Sequence, residues 1–273
     1  MSSDVGEKAR AVFLAALMVL SVVAMSTAFA GSAAAATTTV SPGDSIQSAI
    51  DNADPGDTIE LEAGTYNQQT TVNKSLTLVG AGNSASGTVL QASSSGSGNG
   101  ITVNASDVTV RDLRITDYGN GIRLKNTHSN IVFESVDSVG NSNRGMEVRN
   151  SADLDDLELN NVNFSNNVDG IRGATTSSID GLTITESKFN YNTKGIEIYQ
   201  DESSPVQLND VTISDTEFID NAQKGIYTEK LSNATLDNIT VDGITSDTYV
   251  VNNGIDINLK YDSYENITIR DST

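Results

Sequence analysis

The sequence contains no cysteine, no tryptophan and a single histidine, His128. Because cysteine is absent, disulfides, thiolate nucleophiles and thiolate metal sites are excluded. A metal site built from several histidines is excluded as well. Catalysis by a histidine base would depend on His128 alone, and its setting in the polar segment Thr127-His128-Ser129 predicts an ordinary surface histidine in a turn.

Basic residues are scarce: 16 Lys and Arg stand against 36 Asp and Glu in 273 residues, a formal net charge of −20. Binding to phosphate backbones needs a basic face, so this balance argues against nucleic acid as a partner. The acidic residues are spread along the whole chain. This favours a protein kept soluble in strong salt, where the Debye length falls to about 3 Å and self-repulsion is screened. An ordinary acidic secreted protein is the alternative.

Residues 1–36 are predicted to be a signal peptide. Lys8 and Arg10 precede the apolar run 11–30, and small residues with Ala-x-Ala cleavage motifs follow. The segment KARAVFLAALMVLSVVAMSTAFAGSAAAA resembles the signal peptides of haloarchaeal surface glycoproteins, which implies export to the surface of a halophilic archaeon. A retained membrane anchor is the alternative, because the run is marginally long enough to span a bilayer. We expect a mature domain of residues 37–273, extracellular or at the cell surface, without a transmembrane helix after cleavage.

Three marks recur along the mature chain. The first is a glycine followed by an apolar residue, at intervals of 21 to 30 residues: Gly100-Ile101, Gly121-Ile122, Gly145-Met146, Gly170-Ile171, Gly195-Ile196, Gly225-Ile226 and Gly254-Ile255. The second is a short apolar-polar-apolar strand, usually preceded by Asp or Asn: Val108–Val110, Ile131–Phe133, Leu157–Leu159, Leu182–Ile184, Val211–Ile213, Ile239–Val241 and Ile267–Ile269. The third is a phenylalanine followed three residues later by an asparagine: Phe164 and Asn167, Phe189 and Asn192, Phe218 and Asn221.

These marks predict an all-β fold, a single-stranded right-handed parallel β-helix. Alternation of apolar and polar residues buries one face of each strand, and one coil of about 25 residues supplies the crossover that parallel strands need. Successive coils then stack about 4.8 Å apart. The asparagines line up into an amide ladder, and the glycines fit a sharp bend into the next strand.

Both ends of such a solenoid need covering. At the N-terminal end, Asp44-Ser45 predicts the start of a short capping helix near residues 45–53, whose apolar stripe closes the first coil. Strands are expected next at Thr58–Leu61, Leu76–Val79 and Val89–Leu90. The sequence stops at Thr273, directly after a predicted strand, so we expect the last coil to be covered by a partner or by further chain.

The stretch SIQSAIDNADPGDTIELEAGTYNQQTTVNKSLTLVGAG, residues 45–82, followed by the Gly-Ile coils, resembles the pectin-lyase-like β-helix superfamily and within it the parallel β-helix repeat branch. The resemblance covers residues 40–273 and implies the fold. That branch includes carbohydrate-binding and sugar-hydrolase modules and a periplasmic copper-maturation family, so activity depends on the side chains grafted onto the fold. One His, no Cys and 4 Met argue against the copper role.

Two outward columns follow the Gly-Ile marks, because the apolar residue of each strand points into the core and the next residue points out. The first column is Arg123, Glu147, Arg172, Glu197, Tyr227 and Asp256, and its neighbour is Lys125, Arg149, Ala174, Tyr199, Glu229 and Asn258. One interpretation is a ladder of cross-strand ion pairs that fixes the register. The other is a sugar-binding face, on which exposed tyrosines stack on sugar rings and arginines hold carboxylate or sulfate groups. Its candidate residues are Arg123, Glu147, Arg149, Arg172, Glu197, Tyr199 and Tyr227.

Acidic residues cluster in two segments that are predicted to be turns after this sheet. They are Asp153, Asp155 and Asp156 in one turn, and Asp201 and Glu202 in a longer one. Such clusters offer oxygen ligands to Ca2+, and the alternative is a set of solvated loop charges. Ca2+ is the only cofactor that the sequence suggests. No catalytic residue is assigned, because no lyase motif and no Gly-His-Gly polygalacturonase signature is present.

Six Asn-x-Ser/Thr sequons are candidate glycosylation sites on an exported chain. They lie at Asn73, Asn104, Asn163, Asn233, Asn238 and Asn266. Asn and Thr are abundant outward-facing residues in this sequence, so chance occurrence is the alternative.

The sequence favours an exported cell-surface β-helix module that binds glycans without catalysis, the partner being a polysaccharide or a surface-layer glycoprotein. The alternative is a polysaccharide lyase, hydrolase or epimerase that acts on an acidic polysaccharide.

Overall fold

The computed structural model describes residues 34–199, 208–244, 253–258 and 265–273. The chain divides into two units, Met1–Ala36 and Thr37–Thr273. Only residues 34–36 of the first unit are described, so the segment predicted to be a signal peptide lies almost entirely outside the described residues.

The N-terminal helix, α1, covers Ile46–Asn52. Ser45 caps it, because the Ser45 side chain accepts a hydrogen bond from the backbone N–H of Ser48 at 3.1 Å. Ile46 and Ile50 lie one turn apart on its buried face and close the first coil. The predicted capping helix is therefore confirmed. Among the described residues, no helix is both long and apolar enough to cross a membrane.

The coils that follow are built from short strands. In chain order these are β1 (Thr37–Val40), β2 (Thr58–Leu61), β3 (Gly64–Tyr66), β4 (Thr70–Val72), β5 (Leu76–Val79), β6 (Thr88–Gln91), β7 (Asn99–Val103), β8 (Val108–Thr116), β9 (Asn120–Leu124), β10 (Thr127–Val139), β11 (Arg144–Val148), β12 (Asp153–Asn160), β13 (Asp169–Gly173), β14 (Ser178–Thr185), β15 (Lys194–Ile198), β16 (Leu208–Ser214), β17 (Glu217–Ile219), β18 (Lys224–Glu229), β19 (Leu231–Asp237), β20 (Thr240–Asp242), β21 (Asn253–Asn258) and β22 (Ile267–Arg270). The first two strands predicted after the helix correspond to β2 and β5, and the third lies within β6.

Two long sheets stack these strands. Sheet A has twelve strands, in the order β1-β2-β5-β8-β10-β12-β14-β16-β19-β22, with β3 paired to β6 and β6 to β8. Sheet B has eight strands, in the order β21-β18-β15-β13-β11-β9-β7-β4, and β17 and β20 form a short sheet of their own. Each strand runs parallel to its counterpart one coil away. The chain therefore winds as the predicted parallel β-helix.

The core lies between the sheets and consists of columns of apolar side chains. On sheet B one buried column is Ile101, Ile122, Met146, Ile171, Ile196 and Ile226, the residues that follow the repeating glycines. On sheet A one buried column is Val110, Phe133, Leu159, Ile184 and Ile213. Full burial of one such side chain contributes about 1.5–3 kcal/mol, so the repeated columns supply the main stabilising free energy.

Left-handed backbone conformations mark the corners of the coils and recur every five residues within a coil, as at Asp107, Asp112 and Asp117. One corner column is Asp107, Asn130, Asp156, Gly181, Asp210, Asn233 and Asn266. Asp and Asn dominate because their short polar side chains tolerate positive φ and form local hydrogen bonds. The Asn130 amide, for example, donates to Oδ1 of Asp107 at 2.8 Å. The Asp or Asn before the predicted strands is thus a corner residue.

One predicted strand has the wrong register. The sequence predicts that Ile239–Val241 lies opposite Val211–Ile213 on the neighbouring coil. In the structure, Ala234–Leu236 of β19 occupies that position. The segment after Asn238 instead contributes β20, which pairs with β17. The error arises because Asn233 and Asn238 are both left-handed corner residues, and each precedes an apolar-polar-apolar triplet.

A buried amide ladder lies at one corner of the helix. Its members are Asn141, Asn167, Asn192 and Asn221. The backbone N–H of Asn167 donates to Oδ1 of Asn192 at 2.8 Å, and the Asn192 side chain donates to the carbonyl of Phe164 at 3.0 Å. Beside the ladder, Phe164 packs edge-to-face on Phe189 with ring centroids 5.8 Å apart, and Phe189 stacks on Phe218 at 5.2 Å. The predicted ladder is confirmed and extends to Asn141.

The repeating glycines allow one coil to approach the next closely. A Cβ atom on Gly170 would lie 2.4 Å from the carbonyl oxygen of Gly195 and 2.9 Å from a ring carbon of Phe189. The same carbonyl contact recurs at Gly145 and Gly195. Their φ angles lie outside the left-handed region, so the close approach, and not a special backbone angle, requires glycine here.

Replacing Asn192 by alanine is expected to destabilise the protein by about 2–5 kcal/mol. The N–H of Asn167 and the carbonyl of Phe164 would lose their buried partners, and each such loss costs about 1–3 kcal/mol. Urea denaturation measures the difference. Asn143→Ala is the control, because Asn143 is exposed and its loss should change stability by less than about 0.5 kcal/mol. Equal stability of the two variants would contradict a structural role for the ladder.

Gly170→Ala is expected to lower the free energy of unfolding by about 1–3 kcal/mol, because the added methyl group meets a backbone carbonyl that cannot turn away. Thermal unfolding measures the effect. Gly254→Ala is the matched control at the same position of the repeat, since among the described residues its Cβ would meet no backbone atom, and it would meet two side-chain carbons of Val241 at 3.1 and 3.6 Å. If both variants melt at the wild-type temperature, close coil packing is not what requires the glycine.

Candidate functional site

The outer face of sheet B carries three columns of polar side chains, which we call the charged face. The first column precedes the repeating glycines: Asn99, Asn120, Arg144, Asp169, Lys194 and Lys224. The second follows the buried apolar residues: Thr102, Arg123, Glu147, Arg172, Glu197, Tyr227 and Asp256. The third lies at the strand ends: Asn104, Lys125, Arg149, Ala174, Tyr199, Glu229 and Asn258. The strand register places the members of each column on successive coils.

Ion pairs cross-link the first two columns. Glu147 contacts Arg123 on the preceding coil at 2.7 Å and Arg144 on its own strand at 2.8 Å. Further along the helix, Lys224 pairs with Asp256 of the following coil. The alternating charges read from the sequence thus form cross-strand ion pairs, which are worth a few tenths of a kcal/mol each where they are exposed.

Asp169 and Glu197 form the buried centre of these pairs. The Glu197 side chain is 0% exposed and that of Asp169 is 5% exposed. Arg172 bridges them, at 2.5 Å from Glu197 and 3.5 Å from Asp169, and Lys194 also pairs with Glu197. Burial raises the pKa of Asp169 above its usual value and the charge of Glu197 adds to this, whereas Arg172, Lys194 and Arg144 oppose it. Glu197 lies on the outer face as predicted, but its neighbours cover it completely.

Two tyrosines pack side by side at the same end of the charged face. The ring centroids of Tyr199 and Tyr227 are 5.2 Å apart, and the guanidinium of Arg172 lies 5.2 Å from the centroid of Tyr199. Tyr199 is half-buried, but Tyr227 is only 8% exposed, and its hydroxyl donates to Oε1 of Glu229 at 2.5 Å. The predicted exposure of Tyr227 is therefore wrong. Burial and the charge of Glu197 raise the pKa of Tyr199, so its hydroxyl stays protonated at neutral pH.

Lys125 and Arg149 differ from the other cations of the charged face. Arg149 is exposed and Lys125 is half-exposed, and in the described part of the chain neither forms an ion pair. They occupy adjacent coils of the third column. The small Ala174 follows on the next coil, and Tyr199 comes one coil later, about 10 Å from Arg149 along the axis. The third column thus presents two available cations, a small residue and a ring in a row.

The charged face differs in net charge from the rest of the protein. It holds seven of the 16 basic residues and five of the 36 acidic residues, a formal charge of +2. The remaining 9 basic and 31 acidic residues give the rest of the chain a formal charge of −22. One face of a strongly acidic protein therefore carries no excess of negative charge.

Sequence reasoning missed the first column of the charged face. If residues alternated strictly between the two faces of the strand, Asp169, which lies two positions before the buried Ile171, would also point toward the core. In the structure Asp169 lies on the outer face and contacts Arg172, because the chain bends at Gly170. The signal was present in the sequence, since a polar or charged residue precedes every repeating glycine from Asn99 onward.

The three acidic residues predicted to form a turn lie on a strand instead: Asp153, Asp155 and Asp156 belong to β12. The link between the sheets is only a few residues long at this point, so the segment joins sheet A, where Asp155 lies opposite Asp180 of β14. Within the described residues, no three Asp, Glu or His side chains gather closely enough to hold a metal ion. Asp201 and Glu202 lie outside the described residues, so Ca2+ binding there stays a prediction.

The six sequon asparagines all lie on described residues and differ in exposure. Asn73, Asn238 and Asn266 are exposed, and Asn104, Asn163 and Asn233 are half-buried.

His128 lies on β10, opposite Leu154 of β12, and not in a turn as predicted. It is half-exposed, but its Nε2 atom is buried without a hydrogen-bond partner in the described residues. Burial lowers the pKa of His128 below 6.5, and the positive charge of Lys125 lowers it further. The neutral imidazole is therefore the form that the folded protein favours.

The fold is a parallel β-solenoid with a charged outer face, and comparison with known families names it. The model of the right-handed β-helix region family matches residues 57–211 and 99–273. The two matches together span most of the chain, so the chain belongs to this family and its helix is right-handed, as predicted. A comparison with curated protein sequences found no match.

Solved structures with the same fold come from phages and bacteria. The tailspike protein gp49 of Acinetobacter baumannii bacteriophage Fri1, a capsular polysaccharide depolymerase, matches with a TM-score of 0.58 and 14% identity over 88% of this chain and 48% of its own. ORF18 of Geobacillus virus E2 matches with a TM-score of 0.54 and 15% identity, over 75% of this chain and 52% of its own. An alginate lyase from Paenibacillus sp. str. FPU-7 matches with a TM-score of 0.54 and 17% identity, over 87% of this chain and 99% of its own. The chain spans about half the length of the two viral proteins, and at these identities the similarity shows the fold alone.

His128→Gln is expected to flatten the pH dependence of stability between about pH 7.5 and 5. A histidine whose pKa is lowered on folding contributes stability above its unfolded pKa of 6.5, and this contribution is lost as the pH falls through the folded pKa. Urea denaturation at several pH values measures the free energy of unfolding of both proteins. His128 is the only histidine, so the difference between the curves isolates it, and parallel curves would contradict the burial of its imidazole.

Proposed function

We propose that the chain is an exported β-helix module that binds a polysaccharide on the charged face and does not cleave it. The observation that carries this proposal is the charge contrast, +2 on the charged face against −22 for the rest of the chain. The net negative charge of the rest of the chain repels a polysaccharide with carboxylate or sulfate groups, whereas the net charge of the charged face does not.

Three side chains of the third column supply the contacts. Arg149 and Lys125 offer charges that no carboxylate of the described residues neutralises, and a guanidinium holds a carboxylate or sulfate through paired hydrogen bonds. Tyr199 offers a ring for stacking and a protonated hydroxyl. Strands repeat every 4.7–4.9 Å or so, so a polymer laid along the axis meets the same column on successive coils.

The proposal that the chain does not cleave its ligand is supported by the way the carboxylates at the centre of the charged face are engaged. A general acid or base must reach the proton that it transfers, but Glu197 is covered and neutralised by Arg172 and Lys194. One observation favours a lyase, hydrolase or epimerase as the second candidate. Buried carboxylates, Glu197 and Glu229, lie beside the tyrosine pair, and charged groups buried in this way are often catalytic.

Export and a surface location belong to the same proposal. They rest on residues 1–36, with their basic start, apolar run and small-residue exit, and on the resemblance to signal peptides of haloarchaeal surface glycoproteins. The charge of −22 outside the charged face suits strong salt, where repulsion is screened. A glycan on a surface-layer glycoprotein offers the same sugar chemistry as a free polysaccharide.

A binding assay in molar salt tests the proposal. The purified chain is offered alginate, polygalacturonate, a capsular polysaccharide, a sulfated polysaccharide and neutral dextran, with and without Ca2+, and new reducing ends and unsaturated uronates are followed in parallel. We expect binding of at least one acidic polymer without product. Product formation would favour the second candidate, and a product lost on chelation would restore a role for Ca2+.

Tyr199→Ala is expected to weaken that binding about fivefold, because an aromatic contact is worth about 0.5–1.5 kcal/mol beyond the area that it buries. The matched control is Tyr191→Asn, which removes a tyrosine that is 57% exposed elsewhere, at a corner where asparagine fits the positive φ. Equal affinities of the two variants would place the ligand away from the charged face, and no binding of any polymer by the folded wild-type chain would refute the proposed function.

A further inference from the structure

We propose that Asn73 carries an N-linked glycan and that the other five sequons of the chain do not. The inference is independent of polysaccharide binding by the charged face. It rests on how the fold uses the six sequon side chains, which share the same sequence motif but not the same surroundings.

Asn73 is the sequon asparagine that the fold leaves available. It is the first residue after β4, at the N-terminal edge of sheet B, and its side chain is exposed and has no hydrogen bond in the described part of the chain. The next residue, Lys74, fixes the backbone, because its Nζ donates to the carbonyls of Asp51 and Ala53 at 2.7 Å each. The sequon hydroxyl, on Ser75, is half-exposed and donates to the carbonyl of Asp107 at 3.2 Å.

Three other sequon amides are engaged between coils. The side-chain nitrogens of Asn233, Asn238 and Asn266 donate to Asn209, Asp215 and Asn233 at 2.9, 2.6 and 2.9 Å. A glycan is attached through this same nitrogen and leaves it a single N–H, so glycosylation competes with the contact to the neighbouring coil. All three asparagines also hold left-handed corner conformations that these contacts support.

The remaining two sequons are half-buried within the stack. Asn104 accepts a hydrogen bond from Asn126 on the next coil at 2.5 Å. Asn163 bridges Asp137 and Lys188 on the adjacent coils through its backbone, and its side-chain oxygen is buried. A sugar on Asn163 would have to displace the neighbouring coils, and a sugar on Asn104 would compete with its contact to Asn126.

The modification is a group transfer from a sugar donor that is carried on a lipid phosphate. The side-chain nitrogen of Asn73 forms a bond to the anomeric carbon of the first sugar. The bond between that carbon and the donor phosphate oxygen breaks, the phosphate leaves with the electron pair, and the amide proton passes to the base of the transferase. The hydroxyl two residues on belongs to the acceptor motif.

The position of Asn73 leaves the charged face open. The register places Asn73 one coil before the third column, outside the charged face and in line with Asn104, Lys125, Arg149, Ala174 and Tyr199 on the successive coils. At 4.7–4.9 Å or so per coil, Asn73 lies about 24 Å from Tyr199 along the axis. A glycan there adds a hydrophilic group at the capped end without covering the ring.

Peptide mapping by mass spectrometry tests the proposal on mature protein isolated from the cells that make it. We expect a sugar mass on the peptide that contains Asn73 and unmodified peptides for Asn104, Asn163, Asn233, Asn238 and Asn266. An unmodified Asn73 peptide overturns the proposal, and so does a sugar on any of the other five.

Variants of the turn separate the motif from its surroundings. Asn73→Gln and Ser75→Ala are each expected to abolish the glycan completely, whereas Ser75→Thr keeps the hydroxyl and should keep the glycan. A sugar that persists in Asn73→Gln protein refutes the assignment. Polysaccharide binding by Asn73→Gln is expected to equal that of the wild type, so the result on the glycan is read separately from the result on the charged face.

Discussion

The constraint on which the rest of the structure depends is the stacking of equivalent residues at the spacing of parallel strands, about 4.8 Å. Any residue in one coil meets the residue at the same position in the next coil. An apolar side chain at one position therefore becomes an apolar column, and a glycine at one position becomes a place where backbone meets backbone, as Gly170 meets Gly195. A polar group survives inside such a stack only when the next coil supplies its partner, as the buried asparagine ladder does.

The same constraint decides which charges are available for binding. Like charges stacked at this spacing repel, so the charged face alternates cations and carboxylates, and most of its charges are consumed by their neighbours. Arg123 and Arg172 are held by Glu147 and Glu197, and their replacement would strand a partner. The side chains left for a ligand lie where the third column interrupts the alternation. Lys125 and Arg149 place two cations in succession, and Tyr199 brings a ring into the row.

Sequence reasoning was right where the period alone determines the answer. The repeated Gly-Ile pairs and the Phe-x-x-Asn pattern indicate which residues occupy equivalent positions in successive coils, and Ser45 indicates where the capping helix begins. Sequence reasoning failed where packing between columns decides. Nothing in a column's own residues tells that Tyr227 and Glu197 are covered by their neighbours. It also failed where the corner signal recurs within a single coil, since Asn233 and Asn238 present the same pattern five residues apart.

Strong salt adds a further selection among the contacts of the charged face. With a Debye length of about 3 Å, attraction between the exposed cations and a distant polymer is lost, and only groups in direct contact with the ligand retain their interaction. Stacking on Tyr199 does not depend on ionic strength in this way, because it removes apolar surface from water. The half-buried ring should therefore dominate affinity, whereas Arg149 and Lys125 select among polymers by direct hydrogen bonds. The large negative charge elsewhere keeps the protein soluble in that medium, and the charged face offers an acidic polymer two cations that no carboxylate of the described residues neutralises.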